Sequence, residues 1–330
     1  MKYETLSKKR LALDAFRPLP PALVRNLDEW FKVELTFTSN AIEGNTLTRR
    51  ETALVIEKGL TVAGKSLREH IEASNHAKAL DLVQRLAGGK TSAIAARDIL
   101  AIHKIILRGI DDENSGRYRT VPVRISGSAV IMPNPRKVPE LMDAFHGWLA
   151  DENTLHPVAL AGEAHYRLVT IHPFVDGNGR TARLLMNLIL MMHGYPPAII
   201  RKRERLAYIS ALEKAQLGGS KHDFETLISK AADRSLDILL SAAKGETADY
   251  AKLGGDVDHL PLMKIGELAK ATGETVPTIR FWTKEGLLQA AETTASGYHL
   301  YAPDMAARCA EIKRLKAERL TIREIRDRLV

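Results

Sequence analysis

The sequence predicts a mainly α-helical protein with a small second unit at its C-terminus, and three observations predict it. Aromatic residues are scarce, at 5% of 330 residues, while Ala and Leu are plentiful, which favours helix over strand. Apolar residues recur at helical spacing through most of the chain before residue 244. The clearest strand signal, TVPVRISGSAVIMPNP at 120–135, gathers Val, Ile and Thr around a Ser-Gly-Ser and closes with prolines, so it is expected to form a β-hairpin on an otherwise helical body.

Pro18, Pro20 and Pro21 break the chain before the first amphipathic helix, Leu23 to Phe37. Arg49 to Leu60, Leu67 to Leu86, Ala95 to Leu107 and Val138 to Ala150 follow the same period. A further helix starts near Arg180, and Arg203 to Leu217 and Asp223 to Ala243 complete this body. The segment 244–261, KGETADYAKLGGDVDHLP, loses the period and reads as a linker. Residues 262–330 carry twelve Lys/Arg against nine Asp/Glu, net +3. In that unit a short helix, IGELAKAT, meets Gly273, and a second begins near Pro277, which is helix-turn-helix spacing. A Gly-containing hairpin, Ala295 to Tyr301, and two helices, Pro303 to Glu318 and Thr321 to Leu329, follow.

Composition narrows the function classes. The single cysteine, Cys309, can form neither an internal disulfide nor a Cys-rich metal site, which points to a reducing compartment. No apolar leader and no run of about 18 apolar residues is present, so a cytoplasmic protein without membrane contact is expected. The net charge of +8 permits nucleic-acid contact without establishing it.

The chemistry concentrates in HPFVDGNGRTAR, 172–183, just before the apolar run LLMNLILMM. Gly177-Asn178-Gly179 can adopt backbone angles that turn successive N–H groups into one concavity. The helix beginning near Arg180 aims its positive end at the same place. Arg180 and Arg183, three residues apart, add guanidinium forks matched to phosphate oxygens. Asp176 at the lip is placed to hold Mg²⁺ against phosphate, and His172 can accept a proton near neutral pH. A base, a metal carboxylate and a phosphate nest together describe phosphoryl or nucleotidyl transfer to a hydroxyl.

That run resembles the signature of the Fic family, HPFx[DE]GNGRxxR, without departure. GRYRTVPVRISG (116–127) resembles the family's flap hairpin, and RLLMNLILMMHGYPP and RERLAYISALEKA resemble the helices that follow. The likeness covers about residues 35 to 240. It implies a helical enzyme that moves AMP from ATP to Ser, Thr or Tyr hydroxyls of target proteins, its own included. On that likeness 95–243 is the catalytic domain and 1–94 an N-terminal helical region. His172 deprotonates the hydroxyl, Asp176 holds Mg²⁺, and Phe174 anchors the loop. Gly177, Asn178, Gly179 and Arg180, with Thr181 and Ala182 beside them, bind the α- and β-phosphates, and Arg183 binds the γ-phosphate. Ile125, Ser126, Gly127 and Ser128 of the flap approach the nucleotide and lay the target down as an added strand. Tyr208 and Ile209 are expected to wall the adenine, with Gln216 hydrogen-bonding near it.

A second motif, TSNAIEGN at 38–45, reads as a helix stopping at Gly44. A carboxylate at the negative end of a helix is mildly unfavourable, so Glu43 calls for a cationic partner. The segment resembles the inhibitory motif [ST]xxxE[GN] of the same family, here Ser39, Glu43 and Gly44. The resemblance implies that Glu43 pairs with Arg183, takes the γ-phosphate position and restrains transfer within the chain. In some relatives the same glutamate supports removal of AMP.

The C-terminal unit resembles the MerR-type winged helix, with IGELA, TIR, GLL and GY in order. Phe281-Trp282 stands where two tyrosines are usual, and His299 where Arg is usual. The likeness implies binding of double-stranded DNA through Thr278, Arg280, Trp282, Lys284, Tyr298 and Tyr301, and a homodimer formed outside this unit. The competing expectation is a transcription regulator that senses ATP with little transferase activity. Transfer of UMP or phosphate instead of AMP is a third.

Overall fold

The computed structural model describes residues 2–89, 93–151, 154–245, 263–290, 292–293, 299–301, 304–318 and 320–328. It divides into two compact units, Met1–Asp249 and Tyr250–Val330. From residue 246 onward the expected linker lies outside the described residues.

The first unit is helical: α1 (Lys2–Asp14), α2 (Pro21–Ile42), α3 (Arg49–Lys58), α4 (Leu67–Ala87), α5 (Ala96–Leu107), α6 (Val138–Ala150), α7 (Pro157–Ile171), α8 (Asn178–Met192), α9 (Arg205–Gln216) and α10 (His222–Ala243). α8 is apolar around most of its circumference, so it is central, flanked by α7 on one side and by α4 and α5 on another. Two of these helices have no counterpart in the periodicity. α1 places only Leu6 and Leu13 in the core, against α10, with charged residues between them. α7 carries Gly162 and His165 inside and ends in the partly β-branched LVTI, which blurs a helical stripe although the helix is buried.

α2 runs past the amphipathic stretch that ends at Phe37 and stops at Ile42, just before Gly44, where the sequence expects a helix stop. Its last turns carry Thr38, Ser39 and Asn40, all buried. Thr38 Oγ1 donates to Glu34 O at 2.8 Å and Asn40 Nδ2 to Thr36 O at 3.0 Å, so the helix's own carbonyls accept from two of these buried side chains.

The flap differs from the hairpin expected at 120–135. The chain reverses at Ser126–Gly127, where Gly127 takes φ 79° and Ser128 N–H reaches Ile125 O at 3.2 Å. The arms form no strand ladder. Pro122, Pro133 and Pro135 remove ladder donors. Side chains shape the loop instead: Arg119 at its root, and Glu213 of α9 at its tip, accepting from Ser128 Oγ at 2.7 Å and Ala129 N–H at 2.9 Å.

The second unit contains β1 (Met263–Lys264), α11 (Ile265–Thr272), α12 (Val276–Lys284), β2 (Glu292–Thr293), β3 (His299–Tyr301), α13 (Asp304–Ala317) and α14 (Ile322–Arg328). The strands form one antiparallel sheet in the order β1-β3-β2, with Met263 opposite Tyr301 and Glu292 opposite Leu300. Leu268, Ile279, Trp282, Leu287, Tyr301, Cys309, Ile312 and Ile325 form its core.

Candidate active site

α7 stops at Ile171 because His172 enters the left-handed region, φ 51° and ψ 58°, where its N–H still reaches Leu168 O at 2.9 Å. It is the one non-glycine residue with positive φ among the described residues. Such a conformation costs free energy and persists where its surroundings over-determine it. The ring's Nδ1 lies 3.3 Å from Val169 O, which assigns the proton to Nδ1 and leaves Nε2 as the acceptor. Burial pushes the His172 pKa below its ordinary value, with Arg119 acting the same way against the Val169 carbonyl, Glu43 and Asp176. The ring is therefore neutral at pH 7, the form a general base needs.

The loop after His172 is held from inside. Asn178 brackets Phe174: its Oδ1 accepts from Phe174 N–H and its Nδ2 donates to Phe174 O, both at 2.9 Å. Phe174 is fully buried and stacks on His103 of α5, ring centroids 3.6 Å apart at 7°. Gly116 N–H donates to His103 Nδ1 at 2.9 Å, so Nε2 carries the hydrogen and donates to Asp176 O at 3.0 Å. Burial lowers the His103 pKa to about 4, which keeps this tautomer neutral. Gly177 takes φ 76°, and a Cβ there would meet His103 and Ile106 at 3.3 Å, so the turn into α8 requires glycine.

No side chain caps α8, which leaves its first N–H groups for an anion. Arg180 is buried beneath this end. Its Nη1 lies 3.4 Å from Glu72 Oε1 and its Nη2 3.5 Å from Asp176 Oδ1. Among the described residues its Nε and Nη1 lack hydrogen-bond partners, unspent donors beside an anion nest. Arg68 of α4 reaches Asp176 Oδ2 at 3.1 Å and Glu72 Oε1 at 3.2 Å.

Arg183 is buried and fully engaged. Nε donates to Ser39 Oγ and Nη2 to Ser39 O, both at 2.9 Å; Nη2 also donates to Glu43 Oε1 at 2.7 Å, and Nη1 to Tyr208 OH at 3.4 Å. Burial disfavours its charge, and Glu43 and Tyr208 more than offset this, so its pKa stands above the usual value. The Glu43 carboxylate lies over Gly179, where a Cβ would collide with Glu43 Oε1. Arg205 Nε donates to Ile42 O at 2.6 Å and pins the end of α2 that presents Glu43.

The structure thus brings His172, Asp176, Gly177, Gly179, Arg180, Arg183, Ser39 and Glu43 together around the start of α8. Four expected ligand residues are placed otherwise. Tyr208 is buried behind Arg183, its hydroxyl 2.9 Å from His165 Nε2, so it supports the guanidinium and offers no face to a base. The side chains of Thr181 and Ala182 are completely buried, because the face of α8 that carries them is core. The Asn178 amide is spent on Phe174. Ile209 remains on the open side of α9, and Gln216 Nε2 donates to Val169 O and Thr170 Oγ1, both at 3.3 Å. Ile125, Ser126 and Gly127 are exposed at the flap tip. Arg119, His103, Glu72 and Arg68 carried no assignment in the sequence. The partners that bring them to the site come from distant segments, although Arg119 lies inside the flap motif.

Residues 93–190 match the Fic/DOC family model. The chain is 37% identical over 276 residues to a protein adenylyltransferase Fic of Culex quinquefasciatus, covering 83% of this chain and 52% of that protein. A Fic-domain-containing signalling protein from Bacteroides thetaiotaomicron superimposes with TM-score 0.68 at 30% identity, over 76% of this chain and all of that one (100%). Fic-1 from C. elegans does so with TM-score 0.66 at 34% identity, covering 74% and 73%. The chain belongs to the Fic/DOC family. It spans about half the length of the curated Fic relatives it matches. Residues 263–329 match the MerR HTH family regulatory protein model, so the Fic body is joined in this chain to a helix-turn-helix-type domain.

In that second domain Trp282 and Tyr301 are core, correcting their expected place at DNA. α12 turns Ile279 and Trp282 inward, and the Tyr301 hydroxyl is spent on Thr283 Oγ1 at 2.8 Å. Tyr298 lies outside the described residues. Thr278 is partly covered, bonded to Thr275 Oγ1 at 2.8 Å, while Arg280, Phe281 and Lys284 are exposed on the outer face of α12. No described helix of either unit is long and apolar enough to cross a membrane.

Proposed function

We propose that this chain is a self-inhibited protein adenylyltransferase with a DNA-binding C-terminal domain. One observation carries the reading. His172, whose Nε2 has no hydrogen-bond partner among the described residues, stands beside an uncapped helix end, and the carboxylate of Glu43 already lies over that end, bound to Arg183. A site that holds a carboxylate there can hold a phosphate there. The adenylyltransferase names of the Fic relatives supply the nucleotide, ATP.

In this reading the N–H groups of Asn178, Gly179 and Arg180 and the two guanidiniums bind the triphosphate. His172 Nε2 takes the proton of the target hydroxyl, whose oxygen forms a bond to the α-phosphorus. The bond from the α-phosphorus to the bridging oxygen of the β-phosphate breaks in line, and pyrophosphate leaves. Asp176 is the carboxylate that could hold a divalent cation: it is half exposed at the lip of the loop, within reach of Arg68 and Arg180. Mg²⁺ held there would neutralise phosphate charge. Glu43 must leave Arg183 before the γ-phosphate can take its place, which is the basis of inhibition.

The second domain would read DNA through the outer face of α12, where Arg280 and Lys284 flank Phe281.

The transferase reading is tested by incubating a Glu43→Gly variant with ATP labelled at either the α- or the γ-phosphate. Label carried to protein from the α-position only supports it. Label carried from the γ-position identifies a phosphotransferase instead. Binding of ATP without transfer of either label identifies a nucleotide sensor.

A further inference from the structure

Arg119 lies in the first arm of the flap, almost fully buried at 2% exposure. Its guanidinium donates to three backbone carbonyls in three different segments. Nε reaches His172 O at 2.7 Å, Nη1 reaches Val121 O at 3.1 Å, and Nη2 reaches Pro133 O at 2.7 Å. Its own backbone N–H donates to Pro173 O at 2.8 Å. The first carbonyl belongs to the base, and the other two belong to the outgoing and returning arms of the flap.

Both structures that meet on this side chain lack other support of the usual kind. The flap arms have no ladder, so their spacing at the root rests on the guanidinium. His172 holds a left-handed conformation, which needs its carbonyl fixed from outside. A planar fork with five N–H donors can serve three carbonyls at once; an ammonium, as a point charge, cannot copy that geometry.

We propose that Arg119 is a positioning residue that locks the target-binding flap to the general base, so that a hydroxyl laid on the flap arrives within reach of His172 Nε2. This rests on the transferase reading above. Among the described residues the Arg119 guanidinium bonds to His172, Val121 and Pro133 and to none of Gly177 to Arg183, so it governs the transfer step and leaves nucleotide binding alone.

The test uses the full chain with Glu43→Gly as parent and Arg119→Lys added. Displacing reacting groups by about 1 Å costs on the order of 10²-fold, so transfer of α-labelled AMP at saturating ATP should fall about ten- to hundredfold, with KM for ATP and the affinity for a fluorescent ATP analogue changing less than about twofold. In Arg119→Ala, added ethylguanidinium should restore part of the lost transfer. If the parent transfers no label, the transferase reading falls and takes this proposal with it. If the parent transfers and the lysine variant matches it, or ATP binding falls in step with transfer, Arg119 does not position the reacting groups. Should the lysine variant lose its cooperative melt, Arg119→Gln replaces it; loss of the fold in both would equally overturn the proposal, by making Arg119 a residue of general stability.

Discussion

The Glu43 carboxylate meets the Arg183 guanidinium at 2.7 Å across 140 positions of chain and lies directly over Gly179. The end of one helix therefore occupies the start of another, in the place where the uncapped α8 would receive an anion. Ser39, one turn before Glu43, binds the same guanidinium twice, so α2 holds Arg183 from two positions on one face.

On the proposed reading, in which the ring supplies the base and the start of α8 the affinity, replacing His172 by Ala should abolish transfer while sparing ATP binding. Loss of a general base costs about 10²–10⁴-fold in rate. Calorimetric ATP titration beside a labelling assay, both with Glu43→Gly as parent, checks it. A pH profile adds a second reading. Burial depresses the His172 pKa, so the neutral base survives as pH falls and activity should drop only below the ordinary histidine value of 6.5. Glu43 raises that pKa, so Glu43→Gly and Glu43→Gln should both carry their acid limb at lower pH than wild type.

Acid should destabilise the Fic body through its buried histidines, His76 and His165 ahead of His103. Burial, with Arg183 nearby, holds both His76 and His165 at a pKa of about 3. Between about 3 and 6.5 the unfolded chain binds protons that the folded chain refuses, so stability falls as pH drops through this window, by at most about 1.4 kcal/mol per pH unit for each ring. Above 6.5 neither ring contributes a slope. Melting temperatures measured from pH 7.5 down to 5 check this, and His165→Gln should flatten the decline.

DNA binding should require residues 262–330 and weaken steeply with salt. Arg280→Ala and Lys284→Ala should each loosen binding across all sequences and reduce the salt slope by about 1 if each meets one phosphate. Trp282→Ala should instead unfold the domain, because the indole is core. Gel shifts on selected promoter DNA, with and without the C-terminal domain, decide the matter; equal binding by both forms would remove the assignment.

Much of this site is legible in the sequence because it is local. His172 to Arg183 spans one turn and the first helical turns after it, and Gly177 announces the left-handed turn that only glycine fits. Glu43 is legible as a carboxylate misplaced at a helix C-terminus. Tyr208 misleads, since α9 is weakly amphipathic and its one aromatic ring turns inward to Arg183. Arg119 and His103 escape because their partners are backbone carbonyls and N–H groups, which carry no signature in residue type. The flap misleads as well: its Val and Ile content promises strands, while its prolines and the side chains of Arg119 and Glu213 determine a loop.

The restraint by Glu43 is tested most directly by self-labelling of wild type, Glu43→Gly and Glu43→Gln with α-labelled ATP, across several ATP concentrations. Both variants should label faster than wild type, and adding Arg183→Ala should remove the gain. A tenfold or hundredfold gain corresponds to about 1.4 or 2.8 kcal/mol, a size suited to one charge-assisted pair at a partly buried site. A chase with unlabelled ATP should remove label at the same rate from wild type and variants if Glu43 restrains transfer; faster loss from wild type would make Glu43 part of an AMP-removing site. Labelling of Glu43→Gly and Glu43→Gln no faster than wild type at every ATP concentration would contradict self-inhibition and leave the Glu43–Arg183 pair a structural contact.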